Sequence, residues 1–145
     1  MANVKFIAVS RGLRGIVDYV TNREKTIEQL ISGVNCVAWT AVPEFEAVKK
    51  QFRKTEGCGY YHIVQAFAPD DPLDFTTAHE LGVKLAEHFE GYQCIVVTHM
   101  NTADIHNHII MNSVNFETGT GDAAGQGLLQ PTLSGVRFVR HGVQS

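Results

Sequence analysis

Cysteine is scarce in this chain, and so are long apolar runs and any excess of positive charge. The three cysteines in 145 residues, Cys36, Cys58 and Cys94, are widely spaced and odd in number. None forms a C-x-x-C pair, so neither a disulfide framework nor a cysteine zinc site is expected. A reduced, cytoplasmic setting fits that usage best. No apolar stretch approaches the roughly 20 residues that a membrane helix needs, so membrane insertion is not expected. The opening MANVKFIAVSRGLRG lacks the charged-then-apolar layout of a secretory leader and reads as mature sequence. Twelve Lys and Arg against fifteen Asp and Glu leave a net charge of -3. That balance weighs mildly against a dedicated nucleic-acid binder with a uniformly basic surface. At 44% hydrophobic and 19% charged residues the chain is no disordered polymer. Its length suits one domain that buries roughly two-thirds of its unfolded surface.

Charge is unevenly distributed. Residues 1–25 carry Lys5, Arg11, Arg14, Arg23 and Lys25 against Asp18 and Glu24 alone, so one end of the chain is basic and could face an anion. Along the chain, Val4–Ser10 (VKFIAVS) reads as a strand. In the following GLRGIVDYVTNREK, the spacing of Leu13, Ile16, Val17 and Val20 predicts a short amphipathic helix, with Gly12, Gly15 and Tyr19 on another face. Residues 34–40 (VNCVAWT) read as a second strand. Pro43 opens a helix that turns Phe45, Val48 and Phe52 inward. GCGYYHIVQAFAP (57–69) is a strand rich in aromatic and β-branched residues. Asp74 can cap a helix running to about Glu90, with a Thr77–Glu80 capping box as the alternative start and Gly91 as the stop. Gln93–His99 and His106–Phe116 form two antiparallel strands across the short Met100–Ile105 connection. Strands and helices in this order indicate an α+β fold with a mainly antiparallel sheet covered by helices. Residues 1–118 are expected to form the domain. Residues 119–145 begin glycine-rich and show neither a helical stripe nor clean alternation.

The strongest chemical signal is His99, His106 and His108. Alternation along a strand points His106 and His108 to one side, and the hairpin folds His99 back toward it. Three imidazoles so placed can share a divalent ion: zinc, copper, iron, nickel or, with oxygen donors completing the shell, manganese. A single histidine on a strand is usually packed or hydrogen-bonded, and among seven histidines a chance trio is the lesser alternative. His62, His79, His88 and His141 lack comparable spacing. Tyr19 is a poor nucleophile at its ordinary pKa near 10, yet it can attack phosphorus that a metal polarises. Glycines beside it leave room for a nucleotide backbone, and Arg11 and Arg14 can clamp phosphates. From local sequence alone, packing at the edge of the core is the better explanation of Tyr19.

Three segments, in order, resemble the relaxase or mobilisation nuclease domain of conjugative and mobilisable elements, especially its MobP-like branch. They are the GLRGIVDYV helix with its tyrosine followed by NREKT, the GYYHIVQAFAPDD segment, and THMNTADIHNHIIMNSVNF. The last is long and specific, and together they cover roughly residues 1–118. The resemblance implies a five-stranded antiparallel sheet with the histidines at its centre. It implies that Tyr19 attacks a phosphodiester of single-stranded DNA at an origin of transfer, giving a 5′-phosphotyrosyl link and a free 3′-hydroxyl, with reversal rejoining the strand. By the same resemblance His99, His106 and His108 hold Mn²⁺ or Mg²⁺, Asp104 orients a histidine or accepts a proton, and an accessory mobilisation protein and a coupling protein are partners. The chain departs from the pattern twice. Ala66 stands where the family has a serine near the DNA, and Asn101 stands where an acidic residue often follows the first histidine. A DNA-binding fragment without turnover and a metallohydrolase using metal-bound water are the competing readings.

Overall fold

The computed structural model describes residues 2–100, 104–121 and 136–140, the last as backbone. Its strands are β1 (Ala2–Val9), β2 (Ile31–Val34), β3 (Tyr60–Phe67), β4 (Cys94–His99), β5 (His106–Asn112) and β6 (Val136–Arg140). Its helices are α1 (Leu13–Val20), α2 (Ala41–Gln51) and α3 (Phe75–Glu87), with 3₁₀ turns at Glu28–Leu30 and Ala38–Thr40. Five strands pair antiparallel in the order β2-β4-β5-β3-β1, and β6 adds itself to β1 in parallel. The fold is α+β, as the element order predicts.

Register sorts the side chains between two faces. Because neighbours alternate, Tyr60, Ile95, Val97 and Ile110 share one face, where α1 and α2 cover them through Val20, Ala41 and Phe45. Tyr61, Ile63, Val96, Ile109 and Met111 share the other, under Leu85 and Ala86 of α3. All six residues of β4 are buried, as expected of a strand covered on both sides. Polar residues beneath α3 satisfy one another. Asn107 Nδ2 donates to Gln65 Oε1 at 2.8 Å and to the Ala78 carbonyl at 2.7 Å, while Ser32, His79 and Thr98 form a linked chain.

Helix limits follow local chemistry. The Asp74 carboxylate accepts the Thr77 amide at 2.7 Å, so Asp74 rather than Thr77 caps α3. Gly91, at φ 81°, turns the chain toward β4. The expected strand over residues 34–40 is not formed. Pairing instead occupies Ile31–Val34, and Asn35, at φ 60°, ends it. The Glu44 carboxylate then accepts both the Val37 amide at 3.0 Å and the Thr40 hydroxyl at 2.7 Å, folding residues 37–40 into a turn that leads to α2. β6, drawn from a segment with no strand signal, extends the sheet beyond the five expected strands. Asn101 and His141 lie outside the described residues, as does most of the 119–145 tail.

Candidate active site

The β4–β5 hairpin ends in the pair His99 and His106, directly opposite one another, with His108 two residues further along the same face. Ala66 of β3 lies opposite His106, so the position expected near DNA does share the histidine face. The rings of His99 and His108 stand 4.2 Å apart between centroids. A fourth histidine joins them. His62 of β3 contacts His108 with 2.8 Å between Nε2 and Nδ1, and spacing along β5 gave no hint of it. What could have exposed it is period two on its own strand, because 62, 64 and 66 face the same way.

Hydrogen bonding orients these rings. The Val20 carbonyl can only accept, so His99 donates through Nε2 at 2.8 Å and its neutral ring turns Nδ1 outward as an acceptor. In the tautomer where His108 donates through Nδ1 to His62, the His108 Nε2 lone pair is likewise presented. A ring nitrogen anchored to a protein group while the other stays available is the arrangement of metal-bound imidazoles. Burial, then the neighbouring cationic forms of other histidines, pushes the pKa of His108 down to about 3 and that of His62 to about 4. Burial likewise lowers that of His99. Near neutral pH these rings are therefore uncharged, the state in which imidazole binds a metal. Even so, among the described residues no group of three His, Cys, Asp or Glu side chains stands arranged to hold an ion. His99 and His108 converge, and His106 lies opposite His99 on the same sheet face.

Tyr19 is on the last turn of α1, one residue before the carbonyl that His99 holds. Tyr19 is 55% exposed, and the Lys25 ammonium lies over its ring at 4.7 Å from the centroid. The same ammonium acts electrostatically on His99 and His108, so Lys25 links the tyrosine to the histidines. The Met100 amide donates to the Lys25 carbonyl at 2.7 Å, fastening that loop to the end of β4. Tyr60 and Tyr61, by contrast, are buried at 5% exposure. Asp104 sits in a bend just ahead of β5, half-buried. Arg11 and Arg14 are at the opposite end of α1. They line a cleft of about 500 Å³ together with Lys49, Lys50, Glu46 and Tyr60. Nothing lies within 4 Å of a Cβ built at Gly12 or Gly15, so that flank of α1 is open.

Comparison with known proteins gives a consistent answer. Residues 19–121 match the family model described as relaxase, MobA/VirD2-like, nuclease domain. The chain is 31% identical to the group II intron-interrupted relaxase LtrB of Lactococcus lactis subsp. cremoris, across 74% of this chain and 24% of that protein. It is 35% identical to the protein rlx of Staphylococcus aureus, across 66% of this chain and 29% of that protein. The chain thus spans about a quarter of the length of the curated relatives it matches. No solved structure matches.

Proposed function

The chain belongs to the MobA/VirD2-like relaxase nuclease family, and from that premise we propose that it nicks and rejoins single-stranded DNA at an origin of transfer through Tyr19. In this reading the Tyr19 Oη forms a bond to the scissile phosphorus and the bond from phosphorus to the 3′-oxygen breaks. The phenolic proton passes to Asp104, directly or through water, and a proton returns to the departing 3′-oxygen. A 5′-phosphotyrosyl link and a 3′-hydroxyl result, and reversal reseals the strand. The observation that carries this reading is the 2.8 Å bond from His99 to the Val20 carbonyl, which joins the histidine cluster to the residue after the nucleophile.

His99, His106 and His108, which share one sheet face, would hold Mn²⁺ or Mg²⁺. Such an ion would polarise the phosphate and offset charge gathering on its oxygens. The protein's own residues do the rest. Lys25 steadies the tyrosine ring from above its face. Arg11 and Arg14 hold phosphates further along the strand, and Ala66 borders the path of the DNA. Residues 1–118 form the catalytic unit. An accessory mobilisation protein and a coupling protein would deliver the nicked strand for conjugative transfer or mobilisation.

The test is incubation with Mn²⁺ and a single-stranded origin oligonucleotide labelled at its 3′ end, followed by denaturing electrophoresis. A labelled band that moves with the protein is the expected result. Cleavage without a covalent adduct would mean hydrolysis by activated water instead, and binding without cleavage would mean a DNA-binding fragment that does not turn over.

A further inference from the structure

Beyond the tyrosine and the histidines, the most unusual surface feature is Trp39. It is the single tryptophan of the chain and is 62% exposed. Exposed Val37 and Ile27 flank it in the fold. Trp39 is not a loose side chain on a loose loop. The two bonds from Val37 and Thr40 to Glu44, with the Thr40 amide on the Val37 carbonyl at 3.1 Å, fix its backbone as a single turn. An indole carried on a backbone fixed in this way leaves less chain freedom to be lost when a flat partner stacks on it.

The indole borders a groove of about 290 Å³ with Thr21, Arg23, Ile27, Glu28 and Ile31. That volume approaches the lower end for small-molecule sites, roughly 300 Å³. Its position is informative. Thr21 caps the helix that bears Tyr19, two residues on. Ile31 pairs with Val97, two residues before His99 on the same face. The groove therefore adjoins the candidate active site across one strand, on the sheet face that carries the histidines. Arg23 supplies a cation at its rim, only loosely held by Glu28 at 3.7 Å with both side chains largely exposed.

We infer that this groove is a nucleobase subsite, in which one base of the single strand next to the scissile phosphate stacks on Trp39 while Arg23 meets its phosphate. An aromatic plane beside a cation is the recurring design of single-strand binding, because every base offers a π-face and every nucleotide a charge. This inference rests on the reading of the chain as a single-strand nicking enzyme.

Having only one tryptophan makes the test direct. The intact chain is titrated with a 20-nucleotide oligo(dT) carrying a 3′ dye, and dye anisotropy and tryptophan emission are recorded together. The expected result is quenching of Trp39 emission that saturates with the anisotropy. Trp39→Ala should weaken binding by about 5-fold or more and Trp39→Phe should retain most of it, stacking on an aromatic ring being the interaction removed. Both variants should unfold at the temperature of the parent, since the side chain faces water. Normal anisotropy with unchanged emission, or an affinity indifferent to Trp39→Ala, would overturn the subsite while leaving the nicking reading intact. Absence of any DNA binding would remove both.

Discussion

Tyr19 differs from the other tyrosines of the sheet and its surroundings in one respect that matters for chemistry: its hydroxyl is reachable. Tyr19→Phe should therefore abolish nicking by orders of magnitude while thermal midpoint and DNA affinity barely move. Tyr60 and Tyr61 are buried to 5% exposure. Residual cleavage at even a tenth of the parent rate would move the nucleophile elsewhere. Ala66 belongs to the same scale. If a hydroxyl at this place reaches the DNA, Ala66→Ser should improve binding or nicking by roughly 1 kcal/mol, one hydrogen bond; no change in either would mean the position does not meet substrate. The histidines add a dependence on pH. His62 and His108 titrate near 4 and 3 in the fold, against about 6.5 when unfolded. The unfolded chain thus binds more protons as pH falls below 6.5, and stability drops toward pH 4, by at most about 1.4 kcal/mol per pH unit for each ring. Thermal midpoints measured from pH 7.5 to 4 should show the slope, and His62→Gln should flatten it; an unchanged slope would clear His62 of any part. That His99, His106 and His108 share one sheet face was legible in the sequence, because alternation places two of them and a hairpin the third. His62 was not, since a single histidine on an aromatic strand looks like packing until a neighbouring strand is set beside it.

At the scale of elements, α1 works as a short ruler. Its eight residues span about 12 Å, with the basic cleft at the amino end and Tyr19 at the carboxyl end. A strand laid along the open Gly12–Gly15 flank would meet Arg11 and Arg14 before reaching Tyr19. Replacing both by glutamine should weaken binding of single-stranded DNA and reduce the slope of log affinity against log salt by about 1.4, two phosphate contacts at roughly 0.7 each. An unchanged slope would place the phosphates elsewhere. The element pattern shows what sequence periodicity can and cannot reveal. β3, α3 and the β4–β5 hairpin each pair a clear period with a stop signal, and each forms close to where that pattern puts it. The apolar run at 34–40 misleads because Val37 and Trp39 are exposed. Their composition resembles a strand, but the Glu44 carboxylate claims the backbone and hydroxyl groups around them. The true β2, four residues containing a glycine, has little local signature and is held by β4.

Considered as a whole, the sheet joins segments far apart in the sequence. Ala2 of β1 lies opposite Val136 of β6, in parallel, and no local pattern announces such a contact, since its partner is at the far side of the sequence. The contact has a use. Without β6, the outer edge of β1 would present a row of unpaired amides and carbonyls, a template for another chain. Removing residues 122–145 should leave the histidine face in place but promote self-association, visible as growing light scattering and as concentration-dependent sedimentation. A truncated chain that stays monomeric at high concentration would show that the edge is protected in another way. The same pairing also sets a timetable. During synthesis the first strand emerges long before the segment that completes its edge, and closing so large a loop is entropically slow. β6 should therefore be the last strand to dock on refolding and the first to open. Exchange of backbone amides in β6 for deuterium should then run ahead of exchange in the β4–β5 hairpin, so that the outer rim of the sheet unzips repeatedly while the histidines stay in register.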